Sequence, residues 1–369
     1  MSDTLLVASR KGLFTVRRGR EQRWSVARAQ FLGDHLSLVG ADPRRGSWFG
    51  AFEHGHFGPK LVRSRDQGET WQEIGKPAYP EKPADLKDTD PMGREIPWSV
   101  KRIWALEPGS EPGAGRLWLG TIPGGLFVSD DDGDTWSMVR SLWDHPGRKQ
   151  WFGGGADLPG LHSVCPDPRD PRHVRVAVSC GGVWVTRDGG QSWAVSAKGM
   201  VARYMPPEQQ GVEEIQDPHL MVACRERPEC LWAQHHNGIF RSTDGARTWT
   251  EITRAGPSTF GFAVAVHPRQ PDTAWFVPAV KDDARYPKDG RLVVTRTRDG
   301  GQSFDVLTRG LPQLDAYDLV FRHGLVIDET GDTLAFGSTT GALYVSNDGG
   351  DGWQCVSEHL PPIDALRFA

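Results

Sequence analysis

The chain has 369 residues, 38% of them hydrophobic and 24% charged, with a formal net charge of −4. That is enough apolar side chain for a large core and excludes a disordered polar chain, while the mildly acidic balance without a basic block excludes a nucleic-acid footprint. No run approaches the ~18 apolar residues of a membrane span, the apolar run at 5–8 is too short for a signal-peptide core, and five scattered cysteines without a CxxC pair suggest neither a disulfide framework nor a zinc site, so a cytoplasmic setting is expected.

In chain order, LLVASRKGLFTV at 5–16 reads as two short strands around a turn, with Trp24 opening another. HLSLVGADP at 35–43 reads as a strand closed by an Asp-Pro turn, and SRDQGETW follows at 64–71. After a long segment, 72–98, come RIWALEP, LWLG at 117–120, GGLFVS at 124–129 and SDDDGDTW at 129–136. A second long segment, 137–160, precedes HSVCPDP at 162–168, VRVAVS at 174–179, GGVWVT at 181–186 and TRDGGQSW at 186–193. A third, 194–217, precedes LWAQ at 231–234, NGIFRS at 237–242 and STDGARTW at 242–249. FAVAVHP at 262–268 and an insertion at 281–291 come before TRDGGQSF at 297–304, and GALYVS at 341–346 runs into SNDGGDGW at 346–353. DALRFA at 364–369 has the pattern of a first strand with no repeat after it. Short runs of Val, Leu, Trp and Phe cut by Gly, Pro and Asp turns read as antiparallel strands, four to a repeat.

One string therefore recurs six times, Ser/Thr-x-Asp-x-Gly-x-Thr/Ser-Trp, with Ala246, Phe304 and Gly352 as departures. Its near-regular spacing predicts an all-β fold, a seven-bladed β-propeller of four-stranded antiparallel blades in a single domain over 1–369. The seventh blade is expected from the two ends of the chain, 364–369 supplying its first strand and 5–16 with Trp24 the rest. Sharing a blade in this way closes the ring and hides the sheet edges.

The strings resemble the Asp-box, or bacterial neuraminidase repeat, of sialidase-like β-propellers. HFGPKL, RIWALEP, LWDHP and GFAVAVHP resemble the bacterial single-ring, glycosyl-hydrolase-like group of that class. The resemblance covers essentially the whole chain and implies a structural duty for Asp66, Asp131, Asp188, Asp244, Asp299 and Asp348. Each carboxylate caps backbone N–H groups of a tight turn, the Gly allows a positive φ, and the Trp packs into the next blade. A sialidase is not implied. The Arg-Ile-Pro signature, arginine triad and Tyr–Glu pair of those six-bladed enzymes have no counterparts here, and Glu95-Ile96-Pro97 and Thr121-Ile122-Pro123 are not equivalents. Xyloglucanases of the same repeat class use two seven-bladed rings with one carboxylate each, whereas one ring is counted here. Photosystem assembly factors and sortilin-type receptors use the repeat as a binding scaffold.

In an up-and-down blade, the turns after the first and third strands share one end. The Asp-Pro turns and the boxes therefore mark the bottom of the ring, and the second-to-third turns and inter-blade connections mark the top. All four long segments fall on the top, where binding sites on a rigid ring are expected. Aligning first strands on their Asp-Pro ends places Ser37, Arg102, His162, His219, Phe262, Asp318 and Asp364 at equivalent positions, one per blade, with His35 and Asp217 two residues earlier. EHGHFG at 53–58, QHHNG at 234–238 and the loop carrying Trp143, His145 and Trp151 join the same face, while His173, His267, His323 and His359 are expected at turns or at the bottom.

His162, His219, Arg102 and Asp318 are the candidate catalytic residues, the imidazoles as general acid and base and Arg102 as an anion clamp. His35, Glu53, Trp143, Trp151 and Asp364 are the candidate substrate-binding residues, the indoles by stacking on a ring. His56, His162, His219 and His236 could ligate a divalent transition metal, which neutral imidazole suits. The expected activity is hydrolase or lyase chemistry on a small-molecule or glycan ligand, a sugar or lactone. The alternative is a non-catalytic binding or assembly scaffold using the top loops; neither a nucleic-acid nor a membrane partner is expected.

Overall fold

The computed structural model describes every residue except Met1, His56, Phe57, Pro112, Ala114, Gly155 and Ala156. Apolar residues fill both faces of the short strands, so each sheet must bury both sides, and it does so by standing between two others around a ring. Seven four-stranded antiparallel sheets result. Blade one is Leu36–Asp42, Ser47–Glu53, Pro59–Ser64 and Gln72–Glu73. Blades two to six begin with Arg102–Pro108, Gly160–Asp167, Pro218–Ala223, Gly261–Val266 and Leu325–Ile327. Blade seven pairs Ile363–Phe368 with Thr4–Ser9, setting Arg367 opposite Leu6 and Ala365 opposite Ala8, then adds Gly12–Arg18 and Trp24–Gln30. The two ends of the chain thus close the ring as expected. No helix among the described residues is long and apolar enough to cross a membrane.

The core lies in the seams between blades. Trp118, Leu161, Val164, Val176 and Trp184 fill the seam of blades two and three, and Leu220, Trp232, Val264 and Phe276 that of blades four and five. Burying one such side chain contributes about 1.5–3 kcal/mol, so the seams hold the ring.

Each repeated turn is a closed hydrogen-bond unit. Asp66 accepts from the Thr70 N–H at 2.9 Å, the Thr70 hydroxyl at 2.6 Å and Ser64 Oγ at 2.8 Å, and the Gly68 N–H donates to Ser64 Oγ at 2.8 Å. The turn needs a positive φ, +81° at Gly68, and Ala246 meets the same need at 74°. Bonds from the Thr70 hydroxyl, the Thr70 N–H and the Ser64 hydroxyl favour the charged carboxylate and lower Asp66 to about 2. At Asp348, Gly352 supplies its N–H at 2.8 Å but has no hydroxyl to add. The indole does not pack into the following blade as expected. Trp71 donates to Gln30 of blade seven at 3.2 Å, Trp136 to the Gly75 carbonyl at 3.0 Å and Trp249 to the Ser196 carbonyl at 2.9 Å. All three indoles thus reach back toward the blade before their own.

Blade six departs from the expected register. Its first strand ends at Ile327, just before Asp328, and not near Asp318. Asp328 Oδ1 accepts the N–H groups of Thr330 and Gly331, each at 3.1 Å. Asp42 and Asp167 do the same for Arg44 and Arg169, each at 3.0 Å, and the His267 ring does so for Arg269 at 3.0 Å. With these turns superposed, the blade-six counterpart of Ser37, His162 and Phe262 is His323, five residues before its turn.

Candidate functional site

The first strands ring the axis, and their counterpart positions clasp one blade to the next. Ser37 Oγ donates to the Ile103 carbonyl at 3.3 Å, His162 Nε2–H to the Pro218 carbonyl at 2.8 Å and His219 Nδ1–H to the Gly261 carbonyl at 2.7 Å. His323 Nε2 reaches from blade six to the His162 carbonyl in blade three, at 2.9 Å. His162 is fully spent in this way. Ser163 Oγ accepts the Met221 N–H at 2.9 Å and donates to His162 Nδ1 at 2.8 Å, so neither imidazole nitrogen is left for a proton transfer or a metal. Burial, then the nearby Arg322, hold His162 well below its ordinary value and keep it neutral.

A cavity of about 520 Å³ opens at the top of the ring. The second-to-third turns lend it Cys180 and His236, the insertion at 281–291 lends Asp282 and Arg285, and the connections between blades lend Tyr204 and Arg322. Asp217, just ahead of the first strand of blade four, is pinned on three sides. Its N–H meets His235 Nε2 at 3.0 Å, its carbonyl accepts the His236 N–H at 2.9 Å, and Oδ1 accepts Ser179 Oγ and the Cys180 N–H, both at 3.0 Å. Oδ2 is left facing His219 Nε2 at 3.6 Å and His236 Nδ1 at 3.5 Å, at or beyond hydrogen-bond reach. His219 lies flat on Phe262 with centroids 4.4 Å apart, and His236 stands edge-on to Tyr204 at 5.0 Å with Nε2 3.7 Å from Asp282. His235 is buried against the backbone N–H groups of Asp217 and Asn237.

Burial lowers His219, outweighing the pull of Asp217. Burial alone would raise Asp217, but the two imidazoles and Arg322 hold it well below the usual carboxylate range. With Nδ1 on the Gly261 carbonyl, His219 turns Nε2 toward the Asp217 carboxylate.

Arg322 enters from the connection ahead of the first strand of blade six. Its guanidinium lies 4.6 Å from the Trp104 ring centre and 5.5 Å from that of Phe262. Among the described residues it has no carboxylate or hydrogen-bond partner, and its Nε is buried without one. Burial, only partly offset by Asp217, lowers it to about 10.

The remaining expected residues divide sharply. Arg102 lines the cavity but is not a free clamp, because Glu53 Oε2 pairs with it at 2.5 Å. Asp364 lines it too and bonds His35 Nε2 at 2.5 Å, with Arg10 at 3.8 Å. His35, Glu53, Arg102 and Asp364 thus pair with one another along the rim. Trp143 and Trp151 have no face for a ligand, each being 2% exposed. Tyr79 at 4.9 Å and the Arg148 guanidinium at 4.1 Å cover Trp143, and Trp184 at 5.6 Å covers Trp151. Asp318 is not part of the cavity lining; it accepts Ser338 Oγ at 2.7 Å and Thr340 Oγ1 at 2.5 Å within blade six. His323, expected at a turn or the bottom, lines the cavity. His56 lies outside the described residues. Of the four expected metal ligands, the structure gathers only His219 and His236, joined by Asp217. Arg322 went unrecognised in the sequence. The cue was the run LVID at 325–328, which ends in Asp as LVGAD does in blade one and carries residues 321–323 to the mouth of the ring.

No family model matches the chain. Among curated proteins it is similar to an oligoxyloglucan-reducing end-specific xyloglucanase of Emericella nidulans, 27% identical over 250 residues, 67% of this chain and 26% of that protein. The chain therefore spans about a quarter of the length of the curated relatives it matches. Among solved structures it is similar to an ancestral GH74 enzyme, with a TM-score of 0.59 and 17% identity over 86% of this chain and 38% of that one. It is also similar to a 6-phosphogluconolactonase-like protein of Bacteroides uniformis, with a TM-score of 0.57 and 11% identity over 100% of both chains. These two structural likenesses establish the propeller fold alone.

Proposed function

We propose that the chain is an enzyme acting on a small, negatively charged, sugar-derived substrate, a sugar acid or its lactone, by hydrolase or lyase chemistry at the top of the ring. The observation that carries this reading is an unpartnered guanidinium, Arg322, in the same cavity as the Asp217–His219–His236 cluster. A half-buried cation that no carboxylate touches is costly, and a planar carboxylate or a phosphate matches its fork of donors. The xyloglucanase likeness supports a sugar ligand, and the cavity volume suits a small molecule. In the same cavity, the Asp217–His219 pair makes a centre that can exchange a proton with the substrate or with an attacking water.

Turnover is to be tested on sugar acids, their lactones and uronate-terminated oligosaccharides. Arg322→Gln is expected to raise KM for the charged substrate about 10- to 100-fold, the loss of one charge-assisted contact, with a smaller rise for its neutral analogue. Equal KM values for the variant and its parent would refute the charged-substrate class. No turnover on any of these compounds, with tight binding of a protein at the top loops, would replace the enzyme with a binding scaffold.

A further inference from the structure

We infer that Asp217, His219 and His236 form a site for a divalent transition-metal cation, a centre of two imidazoles and one carboxylate open to the cavity. Its use in turnover rests on the enzyme reading above; the binding itself rests on geometry.

Three observations point the same way. One ligand atom from each residue lies within 4.8 Å of the other two. A tetrahedral ion with bonds of about 2.1 Å sets its ligands about 3.4 Å apart. The two edges at Asp217 Oδ2, 3.6 Å to His219 and 3.5 Å to His236, are already within a few tenths of that spacing.

The second observation is electrostatic. With His219 Nδ1 turned to the Gly261 carbonyl at 2.7 Å, Nε2 faces the carboxylate oxygen at 3.6 Å, beyond hydrogen-bond reach, where a cation could be held by both.

The third is the outer shell. Metal-bound histidines give their other ring nitrogen to a carbonyl or a carboxylate, and bound carboxylates are themselves hydrogen-bonded. Here Gly261 serves His219, Asp282 stands 3.7 Å from His236 Nε2, and Ser179 and Cys180 hold Asp217 Oδ1 so that Oδ2 is the free oxygen. Phe262 and Tyr204 fix the two rings from the sides.

Two nitrogens and one oxygen suit zinc, iron, cobalt or nickel over magnesium or calcium, which take oxygen ligands. Three protein ligands leave a position for water or a substrate oxygen. With the ion bound, the His219 lone pair is used in ligation and the metal-bound water, made easier to deprotonate, becomes the base.

The test uses the full chain, stripped with chelator and titrated with Co²⁺ by calorimetry and visible absorption. One ion per chain, with ligand-field bands that Zn²⁺ abolishes, is expected. His236→Ala, on a partly exposed turn, and Asp217→Asn are each expected to weaken binding about 100-fold or more. Should Asp217→Asn fail to fold, His236→Ala decides alone. Binding well below one ion per chain, or parent-like affinity in folded His236→Ala, overturns the site. Full turnover by the stripped protein overturns the metal's catalytic use and leaves the enzyme standing. One bound ion without turnover on any sugar substrate leaves the site standing and removes the enzyme.

Discussion

At His162 the imidazole stands at the ring axis with both nitrogens committed, one to the Pro218 carbonyl and one to Ser163. Its edge rests on Trp104, centroids 5.5 Å apart. Truncation strands a buried carbonyl and hydroxyl and opens a void beside the indole. His162→Ala is therefore expected to cost about 2–4 kcal/mol of stability, read as a lower urea midpoint at unchanged slope. An unchanged midpoint would show that the clasp carries no stability. His219, at the equivalent place, makes the same clasp to the next blade with Nδ1 and keeps Nε2 back. Residue type and alignment make these two histidines look alike. What separates them is a hydroxyl beside one and a carboxylate beside the other. Ser163 is adjacent in sequence but is aimed by the Met221 N–H of another blade, and no periodicity exposes such a bond.

The repeated turn is the element whose chemistry was most legible. Ser/Thr, Asp, Gly and Thr/Ser all take part in the turn's hydrogen bonds, so their spacing alone specifies them. The turn also predicts a response to acid. Unfolded aspartates titrate near 3.9, whereas hydrogen bonding holds Asp66 and Asp299 at about 2 and lowers Asp188 further. Between those values the unfolded chain binds more protons than the folded one. The contribution is complete above about pH 4 and is lost as pH falls toward about 2. Melting temperature is expected to drop over that interval, and the double variant Asp66→Asn, Asp299→Asn to drop less steeply. Parallel profiles would show that these turns do not govern acid lability. What the string did not convey was the direction of its indole, which depends on how the fourth strand leaves the turn. Nor did it convey the blade-six register, where Asp328 does the work of an Asp-Pro end without a proline.

Across the whole molecule the ring was readable because repeats can bury their faces only against one another, and because the unmatched ends complement each other. The closing strand, Ile363–Phe368, covers the edge of Thr4–Ser9. Removing residues 363–369 is expected to leave that apolar edge open and to yield a protein that self-associates on light scattering and melts earlier. A monomeric product with the parent's melting temperature would show that the seam clusters suffice without the pairing. The top face followed from strand direction alone, and it supplies the cavity. Which of its polar groups stay available depends on neighbours in the adjacent blade, Glu53 for Arg102 and Phe262 for His219.

Asp217 belongs to blade four by chain but is tethered through Oδ1 to the turn of blade three, while both imidazoles ride on blade four. The cluster therefore straddles a joint. Any sliding of those two blades would pull the carboxylate off the imidazoles before either sheet loosened, and anything held by all three would act as a rivet across that joint. Occupancy should accordingly slow amide exchange at 179–181, on the blade that supplies none of the three ligands.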